Sequence, residues 1–271
     1  MNVSILLKHI NKLTPLNHAF EDDSVGLLIG DESNQVENLT VGHELEESLL
    51  EYWKNNNIDT VVTYHPPPYK RIIDENEVET YLPDPITESF VYSSINVISI
   101  HTAQDVCEEG NAETLAELFE MSDVSIFANS VDNFGAGRKG TINKISPADF
   151  KKEVENKLNT KIIRTNECFN EIKEIQNIAV LPGSGTQFID EIIDSVDVFI
   201  TGDISHRYLL KADEAKLGLI QVGHISTEIP GMKKFVEKLE KELDLKLNYI
   251  YRKYYEWAVF IKQFSWASRF R

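Results

Sequence analysis

A histidine followed four residues later by a carboxylate occurs twice in this chain, each time just after an apolar run. His224 and Glu228 close the stretch LGLIQVGHISTE, and His101 and Asp105 close the stretch NVISIHTAQD. Imidazole and carboxylate groups bind divalent cations and transfer protons near neutral pH. These two stretches are therefore the first candidates for a functional site.

Other polar side chains also follow apolar runs that have the composition of strands. His65 comes after IDTVVTY and directly before three prolines, so its backbone is confined to an extended conformation. The alternative interpretation of His65 alone is a loop histidine that caps a strand edge. The complete set of strand-end groups is His65, His101, Asp105, Asp203, His206, His224 and Glu228.

Three interpretations of this set are open from the residue types alone. Imidazoles mixed with carboxylates, without a thiolate, suit Zn²⁺, Mn²⁺, Fe²⁺ or Co²⁺, and a carboxylate can bridge two ions about 3.5–4 Å apart in a two-metal hydrolase. The same groups could instead serve as acid and base in a proton-transfer site without metal. In the third interpretation, the polar groups merely end their strands.

Hydrophobic periodicity predicts the elements that position these groups. Strands are predicted at 25–29, 58–63, 95–100, 160–164, 175–181, 196–201 and 245–251, and a further strand ends at Gly223. Helices are predicted at 3–13, 44–56, 84–93, 149–158 and 232–243, with another capped by Asn111. Residues 123–143 are predicted as a loop or an edge strand. In open α/β sheets, ligands bind outside the carboxyl ends of the strands, where these polar groups lie.

The two halves of the chain carry similar patterns. IDTVVTYH, residues 58–65, corresponds to VDVFITGD, residues 196–203, and NVISIHTAQD corresponds to LIQVGHISTE. This similarity indicates a diverged internal duplication. We predict an α/β fold of two similar lobes with mixed sheets, facing each other across a metal-binding cleft. Lobe one is expected at about 1–125 and lobe two at about 126–251.

The turn formed by Gly183, Ser184 and Gly185 joins a predicted strand to a predicted helix. Backbone N–H groups in such a turn can bind an anion, so these three residues are predicted as an anion site. It is not a Walker loop, because no Lys-Ser/Thr pair follows. The alternative is a tight turn that needs glycine only for its backbone.

Composition limits the classes of function. A net charge of −17 disfavours non-specific binding to nucleic acid or anionic lipid, since both need clustered positive charge. Two cysteines cannot build a disulfide framework and indicate a reducing compartment. The chain has no apolar run of about 18 residues and no signal-peptide cleavage pattern. We therefore expect a cytoplasmic protein, with a nuclear location as a further option.

The C-terminal extension, residues 252–271, differs in composition from the rest of the chain. It holds seven aromatic residues and five Lys or Arg against one acidic residue. Tyr254, Trp257, Ile261 and Phe264 would share one face of a helix. We expect this helix to pack on its own domain or on a neighbouring subunit. A membrane-surface helix is the weaker alternative.

Taken together, the motifs resemble those of the NGG-interacting factor three family, whose members are also described as GTP cyclohydrolase type I homologues. DDSVGLLIGD is similar to the family's Trp-Asp-Asn-Val-Gly-Leu opening, and YHPPPYK to its His-His-Pro or Tyr-His-Pro-Pro motif. HTAQD followed by GNAETLAEL matches its His-Thr-x-x-Asp block, and GAGRKG, GSG, ITGDISH and GHISTEIPG match later blocks in order. The resemblance covers about residues 1–250. It is closer to eukaryotic members and lacks the domain inserted in some bacterial ones.

This resemblance implies two similar α/β lobes, a dinuclear site for divalent metal and a ring-shaped homohexamer built as a trimer of dimers. His65, Asp105, His224 and Glu228 match the family's metal ligands. His101 matches the motif histidine beside them.

Three positions depart from the family pattern. Tyr64 stands where many bacterial members have a ligand histidine, so the second metal implied by the resemblance would have one imidazole ligand fewer here. Asp22 replaces the opening tryptophan, and Arg207 stands where a second histidine often occurs. One function compatible with this pattern is a metal-dependent hydrolase of a small anionic or nucleotide-like substrate, with His101 or Tyr64 as proton carrier. The other is a non-enzymatic metal-binding scaffold that contacts a regulatory protein partner.

Overall fold

The structure, a computed structural model, describes residues 1–73 and 79–252. Its strands are β1 (Gly26–Ile29), β2 (Leu39–Gly42), β3 (Thr60–Thr63), β4 (Tyr69–Ile73), β5 (Glu79–Pro83), β6 (Asn96–Ser99), β7 (Ser122–Val131), β8 (Phe134–Ile145), β9 (Arg164–Thr165), β10 (Ile175–Val180), β11 (Val198–Thr201), β12 (Gly218–Gln221) and β13 (Tyr249–Ile250). Its α-helices are α1 (Val3–Leu13), α2 (Glu47–Asn55), α3 (Pro85–Val91), α4 (His101–Val106), α5 (Asn111–Leu118), α6 (Pro147–Lys157), α7 (His206–Glu214) and α8 (His224–Leu243). The helix predicted in the C-terminal extension lies outside the described residues. Within residues 1–73 and 79–252, the helices all fall short of the length and hydrophobicity that a membrane span requires.

Two compact units make up this part of the chain. The first unit contains Met1–Gly110 and Met232–Tyr251, and the second contains Asn111–Gly231. The units are therefore not two consecutive halves, because the chain returns to the first unit within helix α8.

The sheet of the first unit has the strand order β1-β6-β3-β2-β13. Strands β2, β3 and β6 run parallel, β13 is parallel to β2, and β1 is antiparallel to β6. Gly42 pairs with Thr63, and Thr63 pairs with Ser99, so the three parallel strands end level with one another. The residues that follow these strands therefore leave the sheet at one edge. Strands β4 and β5 form a separate hairpin.

Helices cover both faces of this first sheet. Helix α1 and the second half of α8 pack on one face, and α2 and α3 pack on the other. The principal buried side chains on the helices are Val3, Leu6, Ile10, Phe235 and Leu239 on the first face and Leu50, Trp53 and Phe90 on the second. All four residues of β3 and of β6 are consequently buried. A sheet covered on both faces needs continuous apolar strands, which explains why these runs do not alternate.

The second unit contains a six-stranded sheet with the order β7-β8-β10-β11-β12-β9. Strands β10, β11 and β12 are parallel, whereas β8 is antiparallel to β10 and β9 is antiparallel to β12. Helices α5 and α6 pack on it through Leu115, Phe150 and Val154. Both sheets are thus mixed, and the predicted α/β class with two similar lobes is confirmed.

The two sheets share a core arrangement of three parallel strands flanked by an antiparallel strand. In the first sheet, the antiparallel strand β1 pairs with β6, the third parallel strand in chain order. In the second sheet, the antiparallel strand β9 pairs with β12, which is again the third parallel strand. An aspartate directly before the start of the middle parallel strand makes the same contact in both sheets. Oδ2 of Asp59 accepts hydrogen bonds from the N–H groups of residues 37 and 38, and Oδ2 of Asp197 accepts them from residues 176 and 177. This shared contact supports the internal duplication inferred from the sequence.

Some predicted elements agree with the observed ones and others differ. Of the two alternatives for residues 123–143, the edge strand is the observed one, because the segment lies mostly in the long strands β7 and β8 and β7 is at the sheet edge. Gly137 in this hairpin lies against the Phe127 ring, where a larger side chain would collide. The predicted strands at 160–164 and 245–251 shrink to the two-residue strands β9 and β13. Each of these segments has the composition of a longer strand, but only two of its residues pair with the neighbouring strand.

Helix α8 begins at His224, eight residues before its predicted start at 232. The predicted start is wrong, because the amphipathic pattern on which it rests begins only at Met232, after Pro230 and Gly231. Pro230 is the seventh residue of α8, and the helix continues through it although a proline inside a helix removes one backbone hydrogen bond and crowds the carbonyl four residues before it. As a result, His224 and Glu228 lie one turn apart on the same helix.

Candidate metal centre

Four aromatic side chains meet beyond the carboxyl ends of β2, β3 and β6 in the first unit. His43 follows β2, Tyr64 and His65 follow β3, and His101 begins helix α4 after β6. The ring centroids of His65 lie 5.2 Å from His43 and 5.3 Å from His101. The Tyr64 ring lies 4.8 Å from His65 and 5.5 Å from His101. The level ends of the parallel strands bring these rings together.

Two of these imidazoles are held by carboxylates through Nδ1. The Nδ1 atom of His65 lies 2.7 Å from Oε1 of Glu44, and that of His101 lies 2.8 Å from Oδ1 of Asp23. Carboxylates can only accept, so Nδ1 carries the proton in both rings, and the neutral ring has its lone pair on Nε2. Metal-binding histidines in proteins show this arrangement.

Asp23 also accepts from the backbone N–H of Thr102 at 3.0 Å. Burial raises the pKa of this carboxyl, but the hydrogen bonds and charge from His101 and Thr102 outweigh burial and hold the pKa below 3.8. Asp23 is therefore ionised at neutral pH and orients the His101 ring.

Asp105 lies one helical turn after His101 on α4 and is 6% exposed. Its Oδ1 accepts a hydrogen bond from the Tyr64 hydroxyl at 2.7 Å. Tyr64 is itself 1% exposed. The hydroxyl predicted as a proton carrier thus donates to the carboxylate predicted as a metal ligand.

His43 is a site residue that the sequence reasoning missed. It is 0% exposed, and its Nδ1 lies 2.7 Å from the Tyr249 hydroxyl. One ring nitrogen of His43 and one of His65 lie within 4.8 Å of each other. Strand β2 is only four residues long and mixes polar with apolar positions, so it was not predicted. The sequence feature that could have identified His43 is the pair His43-Glu44, which directly follows the short apolar run LTVG.

The second unit holds His224 between two carboxylates. Its Nδ1 lies 2.6 Å from Oδ2 of Asp203, which follows β11, and its Nε2 lies 2.9 Å from Oε1 of Glu228. Glu228 is 1% exposed. Burial lowers the pKa of His224, but the hydrogen bonds and charges of Glu228 and Asp203 outweigh burial and raise it to about 9.

The glycine turn of the second unit approaches this histidine-glutamate pair. Gly183 has a φ of +65°, and a Cβ there would lie 2.6 Å from Oε1 of Glu228 and 3.2 Å from Nε2 of His224. The Gly183 N–H donates to Oγ1 of Thr227 at 2.8 Å. A short 3₁₀ helix, Thr186–Glu191, follows the turn. Anion binding by Gly183, Ser184 and Gly185 stays a prediction, and one of its three N–H groups is already hydrogen bonded.

The predicted residues thus form one group in each unit. The first unit brings together Tyr64, His65, His101 and Asp105, and the second brings together Gly183, Asp203, His224 and Glu228. His206 begins α7, and its side chain is exposed.

The donors in both groups are nitrogen and oxygen. Burial raises the pKa of the Cys107 thiol to about 11, so this cysteine offers no thiolate at neutral pH. Imidazole nitrogens with carboxylate oxygens fit Zn²⁺, Fe²⁺, Mn²⁺ or Co²⁺. A metal centre is therefore chemically compatible with the residues present.

Comparison with known proteins places the chain in a family. It is 27% identical over 263 residues to the GTP cyclohydrolase 1 type 2 homolog of Methanocaldococcus jannaschii, covering 91% of this chain and 98% of the relative. It is 28% identical over 255 residues to NGG1-interacting factor 3 of Saccharomyces cerevisiae, covering 82% and 85%. A solved Bacillus cereus protein related to NIF3 has a TM-score of 0.78 and 15% identity, covering 94% of this chain and 98% of that one. The family model Duf34/NIF3 (NGG1p interacting factor 3) matches residues 1–254, and the chain therefore belongs to this family.

Proposed function

We propose that the chain binds divalent metal ions and hydrolyses a small anionic, nucleotide-like substrate with their help. The proposed ligands are His65 and Asp105 in the first unit and His224 and Glu228 in the second. The proposal includes two metal ions, in line with the family resemblance described above. The metal is Zn, Fe, Mn or Co, as the nitrogen and oxygen donors favour.

One observation carries the metal-binding part of this proposal. His65, His101 and His224 each have Nδ1 beside a carboxylate oxygen, at 2.6–2.8 Å. In His65 and His101 such contacts orient the imidazole and make Nε2 the better ligand, whereas Nε2 of His224 donates to Glu228 and a bound metal would replace that proton. The same nitrogen, Nδ1, contacts a carboxylate in all three histidines. Hydrogen bonds formed by chance would not have to use the same ring nitrogen each time.

The residues around the proposed ligands have distinct tasks. Tyr64 holds the Asp105 carboxylate in one orientation through its hydroxyl. His101, oriented by Asp23, can accept or release a proton at Nε2, which makes it the better candidate for a proton carrier. A bound divalent ion would supply Lewis acidity, polarising a substrate oxygen and favouring attack by water near neutral pH.

The choice of a nucleotide-like substrate rests on the comparisons rather than on a pocket. The Methanocaldococcus jannaschii relative is named as a GTP cyclohydrolase 1 type 2 homolog. Ring opening of a purine nucleotide and cleavage of a phosphoester are both hydrolytic reactions. Both substrate classes therefore belong in a first screen.

Metal content tests the binding part of the proposal. The full chain is stripped with EDTA, reloaded with Zn²⁺ or Mn²⁺, desalted and analysed for metal. We expect His65→Ala and Glu228→Ala to lose metal, whereas His9→Ala keeps it. His9 is a matched control, because its Nδ1 also contacts a carboxylate, Glu242, at 2.9 Å on an unrelated surface. Equal metal content in all four proteins would overturn the proposed site.

Turnover tests the enzymatic part. Phosphoesters and nucleotides are incubated with the protein in the presence and absence of Mn²⁺, Zn²⁺ or Fe²⁺. We expect hydrolysis that needs metal and that Asp105→Ala abolishes. Activity that survives both EDTA and Asp105→Ala would rule out the proposed hydrolase.

A second candidate function is a metal-binding scaffold without catalysis. Two groups predicted for chemistry, the Tyr64 hydroxyl and the Gly183 N–H, already make internal hydrogen bonds. The Saccharomyces cerevisiae relative is named for an interaction with another protein. Full metal occupancy combined with no turnover of any substrate would favour the scaffold and a regulatory protein partner.

Assembly and location are proposals that rest on the family resemblance. We propose a cytoplasmic homohexamer, arranged as a trimer of dimers. Light scattering on the full chain measures its mass, and a monomer at micromolar concentration would contradict this assembly.

A further inference from the structure

We propose that His43 is a metal ligand and acts together with His65 in the first unit. The inference rests on the metal-binding function proposed above. By the family resemblance, position 64 would carry a ligand histidine, but this chain has Tyr64 there. We infer that His43 supplies the imidazole instead.

The backbone holds His43 and His65 in a fixed relation. Strands β2 and β3 are parallel neighbours, and their ladder continues past both strand ends. The His65 N–H donates to the His43 carbonyl at 3.0 Å, and the Tyr64 N–H donates to the Gly42 carbonyl at 3.0 Å. Both imidazoles therefore begin from a rigid sheet edge, as a preorganised ligand pair requires.

The side chains converge from this edge. The two rings lie edge to face, with centroids 5.2 Å apart and planes at 88°. Their ligand nitrogens lie within 4.8 Å of each other. Two nitrogens bound to one ion at about 2.1 Å each are roughly 3–4 Å apart, so a small ring rotation suffices.

Both rings are oriented through Nδ1. Glu44 contacts Nδ1 of His65 at 2.7 Å, and the Tyr249 hydroxyl contacts Nδ1 of His43 at 2.7 Å. When the hydroxyl oxygen of Tyr249 accepts from Nδ1, the His43 lone pair is on Nε2, as it is in His65. Tyr249 thus has the role for His43 that Glu44 has for His65.

Tyr64 is a poor replacement for the missing histidine. Its hydroxyl donates to Asp105 at 2.7 Å, and its ring fills buried space beside His43, with centroids 4.9 Å apart. Tyr64 therefore positions Asp105, and His43 from the neighbouring strand supplies the imidazole instead.

Zinc affinity and copper spectroscopy test this assignment. Zn²⁺ dissociation constants are measured by competition with a chelating dye for the full-length wild type, His43→Gln, His65→Gln, Tyr249→Phe and the control His9→Gln. Pulsed EPR of the Cu²⁺-loaded proteins counts the coordinated imidazoles, and circular dichroism checks the fold.

We expect His43→Gln and His65→Gln each to remove one imidazole from the copper signal. Tyr249→Phe keeps every ligand but should weaken Zn²⁺ binding by about 10–100-fold, because it removes only the contact that orients His43. His43→Gln should weaken binding by more than Tyr249→Phe, and His9→Gln should match wild type. Tyr249→Phe keeps the test valid if His43→Gln does not fold.

The result that overturns the inference differs from the one that overturns the proposed function. If His65→Gln loses an imidazole while His43→Gln and Tyr249→Phe match wild type, His43 is not a ligand and metal binding by His65 stands. If His65→Gln also matches wild type, the proposed metal function fails together with the inference.

Discussion

The hydroxyl of Tyr64 donates a hydrogen bond to Oδ1 of Asp105 at 2.7 Å, and both side chains are buried. Tyr64 ends the middle strand of the first sheet, and Asp105 lies on the helix after the neighbouring strand. A buried carboxylate needs donors, because its desolvation is otherwise uncompensated. This contact links Tyr64, one of the positions that depart from the family resemblance, to a proposed metal ligand.

Removal of this hydroxyl should destabilise the fold. We expect Tyr64→Phe to lower the free energy of unfolding by about 1–3 kcal/mol, because the Asp105 carboxylate loses the buried hydrogen bond that the Tyr64 hydroxyl donates. Urea unfolding of EDTA-treated protein measures the change. Tyr92→Phe, at a position 84% exposed, is the control and should stay within about 0.5 kcal/mol of wild type. An equal effect of the two variants would contradict the structural role of Tyr64.

Loss of the carboxylate behind His65 should weaken metal binding without removing a ligand. We expect Glu44→Gln to reduce Zn²⁺ affinity by about 10–100-fold, because the amide orients the His65 ring less firmly than the carboxylate does. Chelator competition measures this change. Glu47→Gln, on the exposed side of the same segment, should bind Zn²⁺ like wild type. If the two variants bind alike, Glu44 does not support the ligand.

His224 should make the stability of the metal-free protein depend on pH. Its folded pKa of about 9 lies above the ordinary histidine value of 6.5, because Glu228 and Asp203 favour the charged ring despite burial. The folded protein therefore holds this proton more tightly than the unfolded chain does. The resulting stabilisation is complete below pH 6.5 and is lost as the pH rises through about 9.

Thermal unfolding between pH 6 and pH 10 in EDTA, with about one pH unit between points, measures this effect. His224→Gln is the matched variant, since it cannot gain a charge. We expect the difference in Tm between wild type and His224→Gln to shrink as the pH rises. A difference that stays constant over the range would show that the protonated ring does not stabilise the fold.

The two duplicated aspartates should contribute similarly to stability. Asp59 and Asp197 each accept from two backbone N–H groups at the start of the neighbouring strand. We expect Asp59→Ala and Asp197→Ala each to lower the free energy of unfolding by about 1–3 kcal/mol, because each removes two hydrogen bonds to a carboxylate outside the deep core. Chemical denaturation measures both, with the exposed Asp22→Ala as control. A large effect in one unit alone would argue against equivalent roles.

Local patterns in the sequence determined most of the parallel strands and the ligand-bearing segments. The apolar runs at β3, β6, β11 and β12 are buried on both faces, so their composition alone identifies them. The spacing of His101 to Asp105 and of His224 to Glu228 is one helical turn, which is also local information.

The fold class, the family resemblance and the main candidate ligands could therefore be predicted from local sequence patterns. The groups that orient those candidate ligands could be identified only after the chain had been seen folded. Tyr249 lies 206 residues from His43 along the chain, and Asp23 lies 78 residues from His101. Such pairs depend on strand order and register, which arise from the packing of whole sheets. No periodicity within a short segment encodes them, and for this reason the contacts of His43 with Tyr249 and His65 could not be predicted from the sequence.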